Sequence, residues 1–331
     1  MTLHLSRLRA LLAGGALCAV LVPGAGHAAD KFVYGLSWLP QAEHCGFFQA
    51  KAKGFYEASG LEVELYPGGP GVNMVQLVAA GRADAGMGTA LTTLTMRSQE
   101  IAGVTIGAFL QKSPQTLVAH PDPSLQKLED LKSRKISVAN FSRTQFWVWL
   151  KMKYGFEDSQ LRPYTYNPSA FVADKTMVQQ GYITEDEFFL GKALGAAPKT
   201  FLLADYGYPD HATSVFMMEP VVEKKRDVVK KFMDASIKGW TECMRGDPKP
   251  AFELIKSVSP EQSFELSQFK IDQMKKLELV EGGDAAKLGI GAMTDEKWKS
   301  MFDTMSAGGV FEKPFDYRKA YSLEFVNKPK S

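Results

Sequence analysis

The sequence has little of what metal-dependent, nucleotide-hydrolysing or nucleic-acid-binding proteins display. Three cysteines in 331 residues exclude a disulfide scaffold and a cysteine-based metal cluster. The five histidines are scattered, with no zinc-ligand spacing, so no metal is expected. No G-x-x-x-x-G-K-[ST] loop is present; Gly68-Gly69-Pro70-Gly71 lacks the lysine. A G-x-S-x-G nucleophile elbow is missing too. No catalytic residue and no cofactor are therefore expected. Charge of one sign is also lacking, with 39 basic against 37 acidic side chains. Such a chain has no overall electrostatic handle for nucleic acid or an anionic membrane surface.

What is present begins at the amino terminus. Arg7 and Arg9 precede the apolar stretch Ala10 to Val22. Pro23-Gly24-Ala25-Gly26 then breaks it, and Gly26-His27-Ala28 offers small residues where a signal peptidase reads. The run is short for a membrane span, which needs about 20 residues. Residues 1–28 thus read as a cleavable secretory signal, giving a periplasmic protein without stable membrane insertion. Cys18 follows the bulky Leu17, which disfavours a lipoprotein. Cleavage removes Arg7 and Arg9 and no acid, leaving equal numbers of bases and acids. Cys45 and Cys243 remain. Cys243 shares the apolar face of a predicted helix with Val229, Phe232, Ile237 and Trp240, which reads as core. Their spacing gives no support for a bridge, though one disulfide stays open in an oxidising compartment.

The remainder exceeds one ordinary core and suggests two lobes. Short apolar runs at 32–36, 61–65, 83–87 and 104–110 alternate with helical patterns at 43–57 and 72–80 and from near Thr89. Further strands are expected at 116–119, 135–139, 162–166 and 201–204, with helices at 128–132 and up to Tyr154. After residue 220 the pattern is helical, at 220–245, 249–257, 260–279 and 294–305. Strands alternating with helices imply βαβ units and mostly parallel sheets with flanking helices. The expected division is 29–112 plus 207–331 in lobe 1 and 113–206 in lobe 2. Two chain crossings, near 111–115 and 204–208, make a hinge.

Ligands of open α/β sheets bind beyond the carboxyl ends of strands. Trp38, Gln41 and His44 follow the first strand, where an indole can stack on a flat ligand and two polar groups can bond its edge. The bland reading is surface packing and helix capping. Thr89 and Asn140-Phe141-Ser142-Arg143 open helices whose free N–H groups favour an anion or an electron-rich ring edge. Arg143 beside Ser142 could pair with a carboxylate, sulfonate or phosphate, or simply be a solvated arginine on a capped helix. Tyr182, Glu185 and Glu187 sit at an expected lobe edge, where Glu185 could serve either a ligand or a helix start. Tyr206 or Tyr208 could close an aromatic sandwich or pack the hinge, and Tyr164 and Tyr166 are weaker versions of the same idea.

The run Trp38-x-Pro40-x-x-x-His44-x-Gly46-x-Phe48, then Ala50-x-x-Lys53-Gly54-Phe55-Tyr56-Glu57-x-x-Gly60-Leu61-Glu62-Val63, resembles the thiamine-pyrimidine-synthase-like substrate-binding proteins. Periplasmic binders of sulfonates, taurine and nitrate belong to the same superfamily. Gly81–Gly86, Gln111–Gln115, Leu128–Lys132, Gly181–Glu185 and Lys238–Trp240 continue the likeness across nearly all of the expected mature chain. The resemblance implies a two-lobe periplasmic binding protein fold of type II. It implies a monomeric receptor for a small-molecule solute, partnered by ABC transporter permease subunits. The Trp-x-Pro-x-x-x-His form is similar to the pyrimidine branch, with Trp38 matching the aromatic stacker and His44 a pocket-edge polar group. Gln115 joins the candidate set through the Gln111–Gln115 motif. Sulfonate, taurine, nitrate or aromatic-acid binding is the alternative, and a pyridoxal-phosphate-dependent pyrimidine-forming synthase a second one. The eukaryotic synthases carry a cysteine-rich run where this chain reads Asp210-His211-Ala212-Thr213-Ser214, so catalysis does not transfer.

Overall fold

The computed structural model describes residues 29–69, 71–165 and 167–328. The expected signal segment, Pro70 and Tyr166 lie outside the described residues. The chain starts with β1 (Asp30–Gly35), α1 (Cys45–Ala52), α2 (Phe55–Ala58), β2 (Leu61–Tyr66), α3 (Met74–Ala79), β3 (Ala85–Gly88), α4 (Ala90–Ser98) and β4 (Gly103–Leu110). It continues through β5 (Gln115–Ala119), β6 (Ile136–Val138), α5 (Phe146–Tyr154), β7 (Leu161–Pro163), α6 (Ser169–Ala173), β8 (Val178–Tyr182), α7 (Asp186–Leu194) and β9 (Lys199–Leu202). Then β10 (Ala212–Met218) returns to the first sheet. The carboxyl-terminal part holds α8 (Glu219–Lys224), α9 (Arg226–Arg245), α10 (Lys249–Val258), α11 (Phe264–Lys276), α12 (Ala285–Leu288) and α13 (Asp295–Ala307).

The strands form two five-stranded sheets, in the orders β2-β1-β3-β10-β4 and β7-β6-β8-β5-β9. The chain passes between the sheets twice, from β4 to β5 and from β9 to β10. Each sheet is mixed rather than mostly parallel. β1 runs parallel to β2 and β3, while β10 is antiparallel to β3 and β4. In the second sheet β6 is parallel to β7 and β8, and β5 is antiparallel to β8 and β9. The antiparallel members flank the two passages: a strand entering a sheet from its partner runs against the local βαβ direction.

Two strands escaped the sequence reading, β8 and β10. β10, Ala-Thr-Ser-Val-Phe-Met-Met, is buried almost throughout, so it has no period-two alternation to recognise. β8 carries two buried glutamines whose amides are used internally. Gln180 Oε1 accepts from the Ala139 N–H at 2.7 Å.

The first sheet packs on α1 and α9 through an aromatic cluster. Phe32 stacks on Phe232 at 4.4 Å, Phe47 meets Trp240 edge-on at 5.8 Å, and Phe109 stacks on Trp240 at 5.6 Å. Each ring fully buried contributes roughly 1.5–3 kcal/mol. The buried stripe Val229, Phe232, Met233, Ser236, Trp240 and Cys243 recurs at helical spacing along α9. Glycines let α1 and α9 approach closely. A Cβ on Gly239 would lie 2.1 Å from the Gly46 carbonyl oxygen. Cys45 and Cys243 form a disulfide, with Cα atoms 6.2 Å apart at a sequence separation of 198. Both are fully buried, so nothing in the linear spacing foretold the pairing.

The disulfide ties the start of α1 to α9 and closes a very long loop. Its removal in a Cys45→Ala/Cys243→Ala variant is expected to lower unfolding free energy by about 2–4 kcal/mol. Urea unfolding under oxidising conditions measures this. Midpoints equal to the parent's would show that the bridge contributes nothing.

Candidate functional site

Strand register places the site. β1 pairs with β3 at Gly35 and Gly86, and β10 faces β3 with Ser214 opposite Gly88. Ala212 lies opposite Leu110 of β4. The segments after β1, β3 and β4 and the segment before β10 therefore share one end of the first sheet. They carry Trp38 to His44, Thr89, Gln111 to Ser113, and Asp210-His211. In the second sheet Gln115 pairs with Tyr182, and β6 runs parallel to β8. That end carries Gln115, Tyr182 and the 140–143 turn. The two passages bring these ends together. The Ser113 N–H donates to the Asp210 carbonyl at 3.1 Å, joining the two passing segments directly.

The ends meet through a buried polar cluster. Thr184 donates to Glu43 Oε1 at 2.6 Å across 141 residues of sequence. Lys270 of α11, fully buried, pairs with Glu43 at 3.0 Å and Glu185 at 3.2 Å and donates to Gln41 Oε1 at 3.1 Å. Burial acts to raise the Glu43 carboxyl, but the Lys270 charge and the Thr184 and Lys270 hydrogen bonds outweigh it and hold the group below its ordinary value. Glu185 goes the other way. Burial and the Glu43 charge push it up against the pull of Lys270.

Asp210 lies beside this cluster, almost wholly buried, with Oδ1 accepting from the Ala90 N–H at the start of α4 at 3.1 Å. Burial raises its carboxyl to about 7, only partly offset by the hydrogen bonds at that helix start and by Lys297. Tyr182 spans the gap. Although the residue is 37% exposed, its hydroxyl is pushed up to about 12 by loss of solvent and by the charges of Asp210 and Glu43. His44 is held down to about 4, chiefly by burial, with Glu43 opposing and Lys270 assisting. Burial next to Lys297 keeps His211 neutral as well. Several buried polar atoms here lack a protein hydrogen-bond partner: His44 Nδ1, Ser142 Oγ, Ser214 Oγ and both ring nitrogens of His211. Such groups are costly unless something satisfies them.

The expected residues divide. Gln41, His44, Thr89, Tyr182 and Glu185 come to the meeting ends. Trp38 is half-buried on the loop after β1. That loop is held by Gly68, whose N–H donates to the Trp38 carbonyl at 3.1 Å. A Cβ on Gly68 would lie 2.3 Å from the Leu36 carbonyl oxygen. Ser142 is buried after β6, whereas Asn140 is exposed. Arg143 has its Nε buried, and its charge reaches Asp158, which is bound to Trp147 and Lys151. The Gln115 amide is spent on Gly181 O at 3.0 Å. Tyr206 sits against Tyr154 and Phe201, and the acids it senses are Glu129, Asp205 and Asp130 rather than Glu43 or Asp210. Tyr164 is half-buried in the segment after β7.

Sequence reasoning missed Glu43, Lys270, Thr184 and Asp210. Lys270 did leave a signal. It falls in the buried stripe of α11 with Leu266, Ile271 and Met274, and a lysine in an apolar stripe calls for a partner.

The profile described as NMT1/THI5 like matches residues 41–251. The chain belongs to the NMT1/THI5-like family. Among similar members, the riboflavin-binding protein RibY of Chloroflexus aurantiacus is 24% identical over 93% of this chain and 89% of its own. The formylaminopyrimidine-binding protein of Halalkalibacterium halodurans is 22% identical over 87% and 88%. A Saccharomyces cerevisiae 4-amino-5-hydroxymethyl-2-methylpyrimidine phosphate synthase, THI11, is 23% identical over 72% and 74%. Among solved structures, the Escherichia coli periplasmic aliphatic sulphonate-binding protein SsuA superposes with a TM-score of 0.66, covering 91% of this chain and 93% of that one at 14% identity. The fold expected from the sequence, that of the periplasmic binding proteins, is the one observed. Among the described residues no helix is long and apolar enough to cross a membrane.

The shifted groups of this family member predict a pH dependence. Asp210 and Asp186 titrate near 7 in the folded chain, chiefly through burial. A carboxyl raised above its unfolded value favours the fold at low pH, and that contribution is lost as pH rises through the folded value. The depressed histidines act oppositely, weakening the fold as pH falls from about 6.5 towards 4. Asp210→Asn cannot ionise. The stability of this variant relative to the parent should therefore climb between pH 4 and 8, by the order of a few kcal/mol. Thermal melts at several pH values test this, and a difference independent of pH would contradict it.

Proposed function

We propose that this protein is the periplasmic solute-binding component of an ABC importer. It takes a small, flat, uncharged nitrogen heterocycle such as a thiamine pyrimidine precursor and releases it unchanged to permease subunits. In this reading residues 29–112 with 207–331 and residues 113–206 are two lobes, and the passing segments are the hinge. A solute touching both lobes shifts the population towards the closed form.

The observation that carries the reading is the charge inventory where the strand ends meet. Glu43, Glu185, Asp186 and Asp210 are the acids there. Lys270 is already committed to Glu43, Glu185 and Gln41, and Lys297 donates to the Gln111 carbonyl. Arg143, in the turn after β6, has an Nε without a hydrogen-bond partner, but its charge acts on Asp158, so acids outnumber the cations open to a sulfonate or nitrate among these residues. Carboxyl oxygens and neutral imidazoles instead suit exocyclic amino and ring N–H donors, with Trp38 and Tyr182 supplying aromatic faces. Relatives named for binding riboflavin and formylaminopyrimidine, both flat nitrogen heterocycles, support the same class. The name of the yeast relative supports a synthase reading instead, but the buried Lys270 is held between two carboxylates and is no free amine.

Calorimetry with a formylaminopyrimidine tests the assignment. Trp38→Ala should weaken binding on the order of ten- to a hundredfold while circular dichroism and melting stay near the parent's. Arg143→Ala should change affinity much less. Tight binding of an alkanesulfonate that depends on Arg143 and ignores Trp38 would replace the heterocycle with an anion.

A further inference from the structure

Outside the passing segments the two sheet units meet in two places: Gly308, just after α13, lies against Val148 and Met152 of α5, and one face of α11 lies against residues 185–192. Glu265, Phe269 and Gln273 are spaced four apart on α11, with Lys270 beside them. Each meets a residue from 185–192 at the start of or within α7. Glu265 pairs with Lys192 at 3.1 Å. The Phe269 ring lies 5.2 Å from that of Phe188. Lys270 reaches Glu185 at 3.2 Å. Gln273 Nε2 donates to Glu187 Oε2 at 3.3 Å. The Thr184 bond to Glu43 continues the same seam inward. Every one of these contacts is protein to protein.

We propose that α11 is a clasp: its Glu265–Gln273 face grips residues 184–192 and sets the balance between open and closed lobes, so that these protein–protein contacts tune solute affinity through that balance. The inference rests on the two-lobe reading above. Its logic is electrostatic. When the seam is shut, two carboxylates, Glu43 and Glu185, share one ammonium. Glu43, Gln41 and Lys270 all belong to the first sheet's unit and stay together on opening, whereas Glu185 and Thr184 leave with the second. Closing therefore brings a second negative group to Lys270 and removes water from all three. Breaking a buried charged contact by deleting one partner strands the rest, and here it would strand two like charges face to face. A lysine truncated to an apolar chain should thus force the seam apart, and neutralising Glu185 in the same molecule should undo much of that. A role confined to packing α11 would show no such rescue.

The test uses the full mature chain with fluorophores at one exposed site on each sheet unit. The interlobe distance is read by single-molecule energy transfer, with no added solute. Lys270→Met should raise the ratio of open to closed molecules by about tenfold. Lys270→Met/Glu185→Gln should return most of the way to the parent. Lys192→Ala/Gln273→Ala, which changes only the outer part of the seam, should open the molecule by a smaller factor and leave melting little altered. It also serves if the Lys270 variants fold poorly. If the parent opens and closes but none of these variants alters the ratio, or if Glu185→Gln gives no rescue, the clasp is wrong. If the parent is a single rigid body, the two-lobe binding reading itself fails.

Discussion

One buried ammonium organises the centre of this molecule. Lys270 sits at 0% exposure within 3.2 Å of two carboxylates and an amide oxygen drawn from two other chain segments. Taking such charges out of water costs several kcal/mol each unless they are matched closely. The match here requires the loop after β1, helix α11 and the start of α7 to arrive together. That requirement fixes how the two sheets face one another. It also explains the local electrostatics, in which Glu43 is held ionised while Glu185, Asp186 and Asp210 are pushed up towards neutrality.

The rest of the fold reads as support for that meeting point. The aromatic cluster under α1 and α9, with Gly46 and Gly239 permitting close approach, makes the base from which Gln41, Glu43 and His44 project. The Cys45–Cys243 bridge begins at the next residue after His44, so the cross-link and the polar cluster share one rigid helix start. On the far side, β8 delivers Tyr182 from its strand end and Thr184 from the turn directly after it. Sites built on rigid elements hold their geometry better than sites on long loops. The pair of adjacent passing segments is joined by the Ser113–Asp210 backbone bond.

Much of the fold was legible because the first half alternates cleanly between apolar runs and helical patterns. β1, β2 and β4 fall close to their expected bounds. The directions of the strands were not legible: β10 is buried on both faces and shows no alternation, so the return to the first sheet and its antiparallel pairing stayed hidden. Of the site, residues flagged by position after a strand, such as Trp38, His44 and Thr89, could be named from local pattern. Tyr206 was flagged for being aromatic at a passage, yet its neighbours turn it towards Tyr154. Glu43 and Asp210 were missed because their meaning depends on distant partners, Thr184 at a sequence separation of 141 and Ala90 at 120. No short window contains that information.

The central claim is that the meeting ends of two sheets accept an uncharged nitrogen heterocycle and do no chemistry on it. Native mass spectrometry of residues 29–331, mixed with equimolar formylaminopyrimidine, riboflavin, taurine and nitrate, tests it most directly. The account predicts a one-to-one complex with a heterocycle, of unaltered ligand mass after hours of incubation. A complex with taurine or nitrate alone, or a bound species whose mass changes with time, would contradict it.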